Sequence, residues 1–157
     1  MIKINFYLNS LDDRISPFEL GDFELCLNEE VLITSKNTVP NQSMMVFISA
    51  LDLLNGINRL QCDKKRFLFI GADSSFAISF IKKKTVLEIL HFRQKIKLNF
   101  DEFCLALYKS VMHLYMVDGS PIKNEPMVMV DLKNGICRFK ETFKICLLYS
   151  SPSPRDT

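Results

Sequence analysis

The 157-residue chain is short of glycine, with five, and of histidine, with two. Neither G-x-G-x-x-G nor G-x-x-x-x-G-K-[ST] occurs, so the backbone cradles that hold nucleotide phosphates are missing. His91 and His113 have no nucleophile or further metal-type ligand near them in sequence, which argues against a histidine-based catalytic site. The five cysteines, Cys26, Cys62, Cys104, Cys137 and Cys146, are odd in number and widely spaced, with no C-x-x-C pair. They read as reduced thiols used as small apolar side chains, and no metal or other cofactor is expected. No apolar run reaches the roughly eighteen residues of a membrane helix, and MIKINFYLNS has no basic start, apolar block and cleavage site in succession. The expectation is a cytoplasmic protein with no membrane partner.

What the chain does have is a core: 48% of its residues are hydrophobic, and thirteen are phenylalanine. That suits one folded domain and is far from the composition of disorder. Charge is divided unevenly. Residues 1–60 carry four basic and eight acidic side chains, residues 61–100 carry nine basic and three acidic, and the remainder balances. Two differently charged surfaces favour polar recognition without choosing the partner.

Ile2, Ile4, Phe6 and Leu8 alternate with polar residues as a half-buried strand does, and Phe23, Leu25 and Leu27 repeat the pattern. After an Asn28-Glu29-Glu30 turn, residues 31–34 read as a return strand. Pro40, Asn41, Gln42 and Ser43 stop the strand pattern and offer polar capping side chains before a helix whose stripe is Met44, Phe47, Ile48, Leu51 and Leu54, with Gly56 either ending or weakening it. Four strands follow, at 66–71, 76–81, 85–91 and 95–98, joined by connections short enough to require antiparallel neighbours. Asn99 and Glu102 resemble a capping box ahead of a helix with Phe103, Leu107, Val111 and Leu114 on one stripe. Residues 117–126 read as a loop, and Asn134-Gly135 between two β-prone runs predicts a final hairpin. The expected fold is α+β, antiparallel sheets with two helices in the order βββ-α-ββββ-α-ββ, over a single domain 1–145. Residues 146–157, CLLYSSPSPRDT, break the pattern. They resemble CLLYTSPSPRD, a translated frame of a common sequencing adapter, which implies a non-native tail on a domain truncated near Ile145.

Two stretches could carry function. In GADSS the Ser74 hydroxyl beside Asp73 suggests a nucleophile, but the G-x-S-x-G elbow is not matched, and the flanking alternation makes the run a turn between strands. Asp73, Ser74 and Ser75 are then exposed contact residues. Lys82, Lys83 and Lys84, with Lys64, Lys65, Arg66, Arg93, Lys95 and Lys97, form the one functional-looking charge cluster, suited to single-stranded nucleic acid or simply to solvent. The strands around GADSS are apolar on both faces, so either both are covered within the fold, which is the expectation, or one binds something.

DFELCLN, MMVFISALDLLNGI and RFLFIGADSSFAISF together resemble the small immunity proteins of bacterial contact-dependent and polymorphic toxin systems, over roughly residues 1–117. The resemblance implies a non-enzymatic protein that binds and neutralises a cognate toxin protein. Asp73, Ser74, Ser75, Lys82, Lys83 and Lys84 are the partner-binding candidates. The element order also resembles, at the level of fold, the Whirly-type single-stranded DNA-binding arrangement of four strands and a helix given twice, with one N-terminal strand unaccounted for. That implies nucleic acid as the alternative partner.

Overall fold

The computed structural model describes residues 1–10, 14–38, 40–122 and 126–150, with side chains as far as Phe143. Strand β1 (Ile2–Leu8) pairs antiparallel with β2 (Leu20–Leu27), which pairs in turn with β3 (Glu30–Thr34). A two-residue strand β4 (Met44–Met45) adds to β2 at Leu20 and Gly21, and helix α1 (Val46–Cys62) follows at once. The second sheet is a plain meander of β5 (Arg66–Ile70), β6 (Ala77–Lys83), β7 (Val86–His91) and β8 (Gln94–Asn99), in that order. Helix α2 (Phe100–His113) continues into a π-helical turn (Leu114–Asp118), and α3 (Met127–Ser150) comes last. Among the described residues the fold is thus α+β, with two antiparallel sheets and three α-helices.

Helices α1 and α2 each pack against both sheets, and α3 packs on these two helices. Helix α1 touches β1, β2, β4, β5 and α3, whereas α2 runs from β1 to β7 and β8 and also meets α3. Phe23 from the first sheet meets Phe69 and Phe76 from the second at ring-centroid distances of 6.4 and 5.9 Å. Phe80 then touches Phe103 of α2, and Phe100 touches Phe143 of α3. One phenylalanine cluster therefore joins both sheets to α2 and a second joins α2 to α3, each fully buried ring contributing about 1.5–3 kcal/mol of transfer free energy.

The α2 stripe is as the spacing predicts: Phe103, Leu107, Val111 and Leu114 are all buried, and Asn99 Oδ1 accepts from the Glu102 amide at 2.9 Å. The start of α1 differs. Its N-cap is Met45 with no side-chain cap, because Met44 and Met45 are drawn into β4 and Val46 N is bonded to Glu19 O. Its buried stripe runs through Val46, Phe47, Ala50, Leu53, Leu54, Ile57 and Leu60, while Ile48 and Leu51 are half-buried. Gly56 does not end the helix, which runs on to Cys62. A β-carbon there would overlap the Phe67 ring, so the glycine is the seat on which β5 rests.

The final hairpin is corrected: Asn134 and Gly135 lie inside α3. Met129, Leu132, Ile136, Phe139 and Phe143 recur at helical spacing and are all buried, which outweighs a local turn dipeptide. Gly135 faces α1 where a β-carbon would overlap Leu51, so it serves close helix packing and not a turn. The helix runs on through Ser150, past the expected break at Ile145, and residues 151–157 of the expected tail lie outside the described residues. Val117 and Asp118 belong to the π-helical turn, not to a loop. Cys26 and Cys104 are buried as expected, but Cys62 and Cys137 are exposed.

Candidate functional site: the open face of the second sheet

The GADSS run is a turn between β5 and β6, as the alternation predicts, and it is tied firmly to the core. Ala72 N donates to the buried Ser49 Oγ at 2.8 Å, Ala72 O accepts from Met45 N, and Gly71 N donates to Phe76 O. Ser74 Oγ donates to Gln42 O at 2.8 Å and accepts from Phe76 N at 3.0 Å. A hydroxyl committed in this way acts as a staple between the turn and the segment before β4. Asp73 and Ser75 are exposed, and Asp73 sits at φ 58°. His91, the nearer histidine by chain topology, directs Nδ1 at Ala77 O, 3.1 Å away, and its ring packs tilted against Phe76.

The three consecutive lysines do not act together. Lys82 lies over the Phe100 ring, 5.0 Å from its centroid, Lys83 points to the opposite face, and Lys84 occupies the tight β6–β7 turn at φ 57°. The pairing of Ile70 with Ala77 and of Lys83 with Val86 also puts Asp73, Ser74 and Ser75 at one end of the sheet and Lys83 and Lys84 at the other. The seven-residue strand β6, which ends on Lys83, runs between the two ends, about 20 Å at the usual strand rise. The six candidates are therefore not one site.

Between those ends lies a surface that the sequence reading expected to be covered. The inner face of this sheet, with Phe69, Ile78, Phe80, Leu87, Ile89 and Leu98, is buried, but the outer face is open. Leu68 is 57% exposed and Ile70 is 53% exposed. The register places Leu68 in a row with Ser79, Leu90 and Lys95, and Arg66 in a row with Ile81, Glu88 and Lys97. The face is apolar toward the GADSS end of β5 and basic toward β8 and the Lys84 turn. The helices do not cover it, because α1 and α2 pack on the inner side and α3 packs on those two helices.

Glu88 stands in the middle of this face and is only 4% exposed. Lys83 Nζ lies 3.0 Å and Lys95 Nζ 3.7 Å from its carboxylate oxygens. The hydrogen bond from Lys83 comes first, and the charges of Lys83, Lys95 and Lys97 add to it against the effect of burial, holding Glu88 below the usual carboxylate range. It neutralises part of the basic field and fixes two lysine heads. The outer face of the first sheet has a matching centre. There burial pushes Glu24 up, but hydrogen bonds from Asn5, Tyr7 and Cys26 and the Lys36 charge outweigh it and hold the carboxylate low. Tyr7 is raised, by burial first and then by Glu24.

Sequence reasoning missed Glu88 and the exposure of Leu68 and Ile70. The available signal was a single acid at an outward position of β7 with basic residues at matching outward positions of β6 and β8, legible only once the register is known. Phe92 was missed as well. It is 84% exposed, at φ 54° in the β7–β8 turn, at the same end of the sheet as Asp73. Among the described residues no group of three or more His, Cys, Asp or Glu side chains is placed to hold a metal ion, and no helix is long and apolar enough to cross a membrane. Compared with protein-family models, curated proteins and solved structures, the chain has no match.

Proposed function

We propose that this chain is a non-enzymatic protein-binding module that docks a partner protein on the open face of its second sheet and neutralises it, the partner being a cognate bacterial toxin domain. The observation that carries the reading is the uncovered apolar pair Leu68 and Ile70 beside Arg66, Lys83, Lys95 and Lys97. An exposed apolar patch flanked by charged residues suits a protein interface, and the basic side of the face suits an acidic partner surface. Phe92 and Asp73 border the same end, where an exposed aromatic side chain can anchor a contact. Ser74 supports the face from behind through its bond to Gln42 O.

The test is co-expression with the toxin domain encoded by a neighbouring gene, which should restore growth and yield a complex by pull-down. Leu68→Asp and Ile70→Asp should each weaken that complex at least tenfold while leaving thermal unfolding nearly unchanged, since both positions are exposed. A toxin that still kills at equal expression, with no complex recovered, would sink the reading. The nucleic-acid alternative has one observation in its favour. Strand β4 supplies the fourth N-terminal strand, so four strands and a helix do occur twice. It requires association with single-stranded DNA that falls steeply with salt and is lost in Lys95→Glu and Lys97→Glu.

A further inference from the structure

The first sheet has a free edge at β1. Asn28 N donates to Met1 O and Asn9 N donates to Leu20 O, and with the register of Ile2 on Leu27 this turns the odd-numbered residues toward β2. The backbone N–H and C=O groups of Ile2, Ile4 and Phe6 therefore point away from the sheet, where no strand pairs with them among the described residues. Native proteins usually blunt such an edge. Here α2 runs alongside it instead, and the two walls enclose a solvent-open groove of about 1020 Å³ lined by β1 on one side and by Leu105, Ala106 and Lys109 of α2 on the other.

We infer that this groove binds an extended acidic peptide segment, which adds to β1 as a further strand. Three features select that occupant. The outward backbone groups offer the hydrogen-bond ladder that strand addition requires, and a peptide of about seven residues would match β1 in length. Helix α2 walls the groove beside β1, which obstructs the flat approach of a second copy's whole sheet. Lys3 on the strand wall and Lys109 on the helix wall are exposed, and neither has an ion-pair partner among the described residues. The groove also carries two acids: Asp118, 3.6 Å from His113 Nδ1, and Glu102, which has no ion-pair partner among the described residues. This site is remote from the open face of the second sheet and does not depend on the function proposed for it.

The test is amide hydrogen exchange by NMR on the full chain, with the blocked peptide Glu-Val-Glu-Ile-Glu-Val-Glu as probe and its lysine-for-glutamate counterpart as control. In the free protein the amides of Lys3, Asn5 and Tyr7 should be protected, and those of Ile2, Ile4 and Phe6 should exchange quickly. Millimolar acidic peptide should slow the second set at least tenfold, and the basic counterpart should not. Lys3→Glu and, separately, Ala106→Phe, which fills the groove, should abolish the slowing, whereas Leu68→Asp should leave it intact. Edge amides that stay fast at saturating peptide, or slow equally with the basic peptide, would overturn the inference. Protection that rises with protein concentration and without peptide would overturn it in favour of a second copy on the same edge.

Discussion

Asn28 and Glu29 make the two-residue loop between β2 and β3 at φ 52° and 71°, the two positive values that a type I′ turn requires. Asparagine tolerates that region, but glutamate is strained there by about 1 kcal/mol. Glu29→Gly should therefore raise the melting temperature by about 2–4 °C, measured by calorimetry, without altering the strand register. A residue-scale effect of the opposite kind sits at Glu88. Its carboxylate is held low in the folded state, so the folded protein binds fewer protons than the unfolded chain over the interval between the lowered and the ordinary value. The stability it supplies is fully present above the ordinary carboxylate range and is lost as pH falls through the lowered one. Lys83→Met removes the principal hydrogen bond, so acid unfolding followed by circular dichroism should begin at a higher pH in the variant.

At the scale of elements, α1 is shaped by what lies on it. Gly56 is unfavourable in a helix by about 1 kcal/mol relative to alanine, and an isolated helix would gain from its replacement. In the protein the Phe67 ring occupies the space, and that ring is itself stacked on Phe80 at 5.8 Å. Gly56→Ala should consequently destabilise the fold by about 1–3 kcal/mol, the usual range for overpacking, with the loss visible in urea unfolding at unchanged m-value. An unchanged or raised midpoint would mean that β5 is not seated on the helix. Helix α3 follows the same logic at Gly135, which faces Leu51.

For the whole molecule the decisive contact is between the sheets, and Phe23 carries it. Its ring meets Phe6, Phe69 and Phe76 and is fully buried. Phe23→Ala should cost about 3–5 kcal/mol and lower both sheets' stability in a single transition, read by exchange of amides in β1 and β6 together. Two separate transitions would show the sheets to be independent units. The strands and the α2 stripe were legible from the sequence because alternation and helical spacing are local signals, each confined to a few residues. Phe6 and Phe23, and Phe103 and Leu107, mark their buried faces with no knowledge of partners. The turn at GADSS was legible for the same reason. Asn134-Gly135 misled because a dipeptide's turn preference is weak beside the burial of Leu132, Ile136 and Phe139, which depends on α1 being there to receive them. Only the tertiary structure could decide which apolar face stays open. Leu68 and Phe69 are equally apolar neighbours, and the one turned toward the helices is buried while the other meets solvent, because a face is covered only where another layer has room to pack. The same holds for charge: the register alone brings Lys83 and Lys95 onto Glu88, and it sends Lys82 and Lys83, adjacent in the chain, to opposite sides of the sheet.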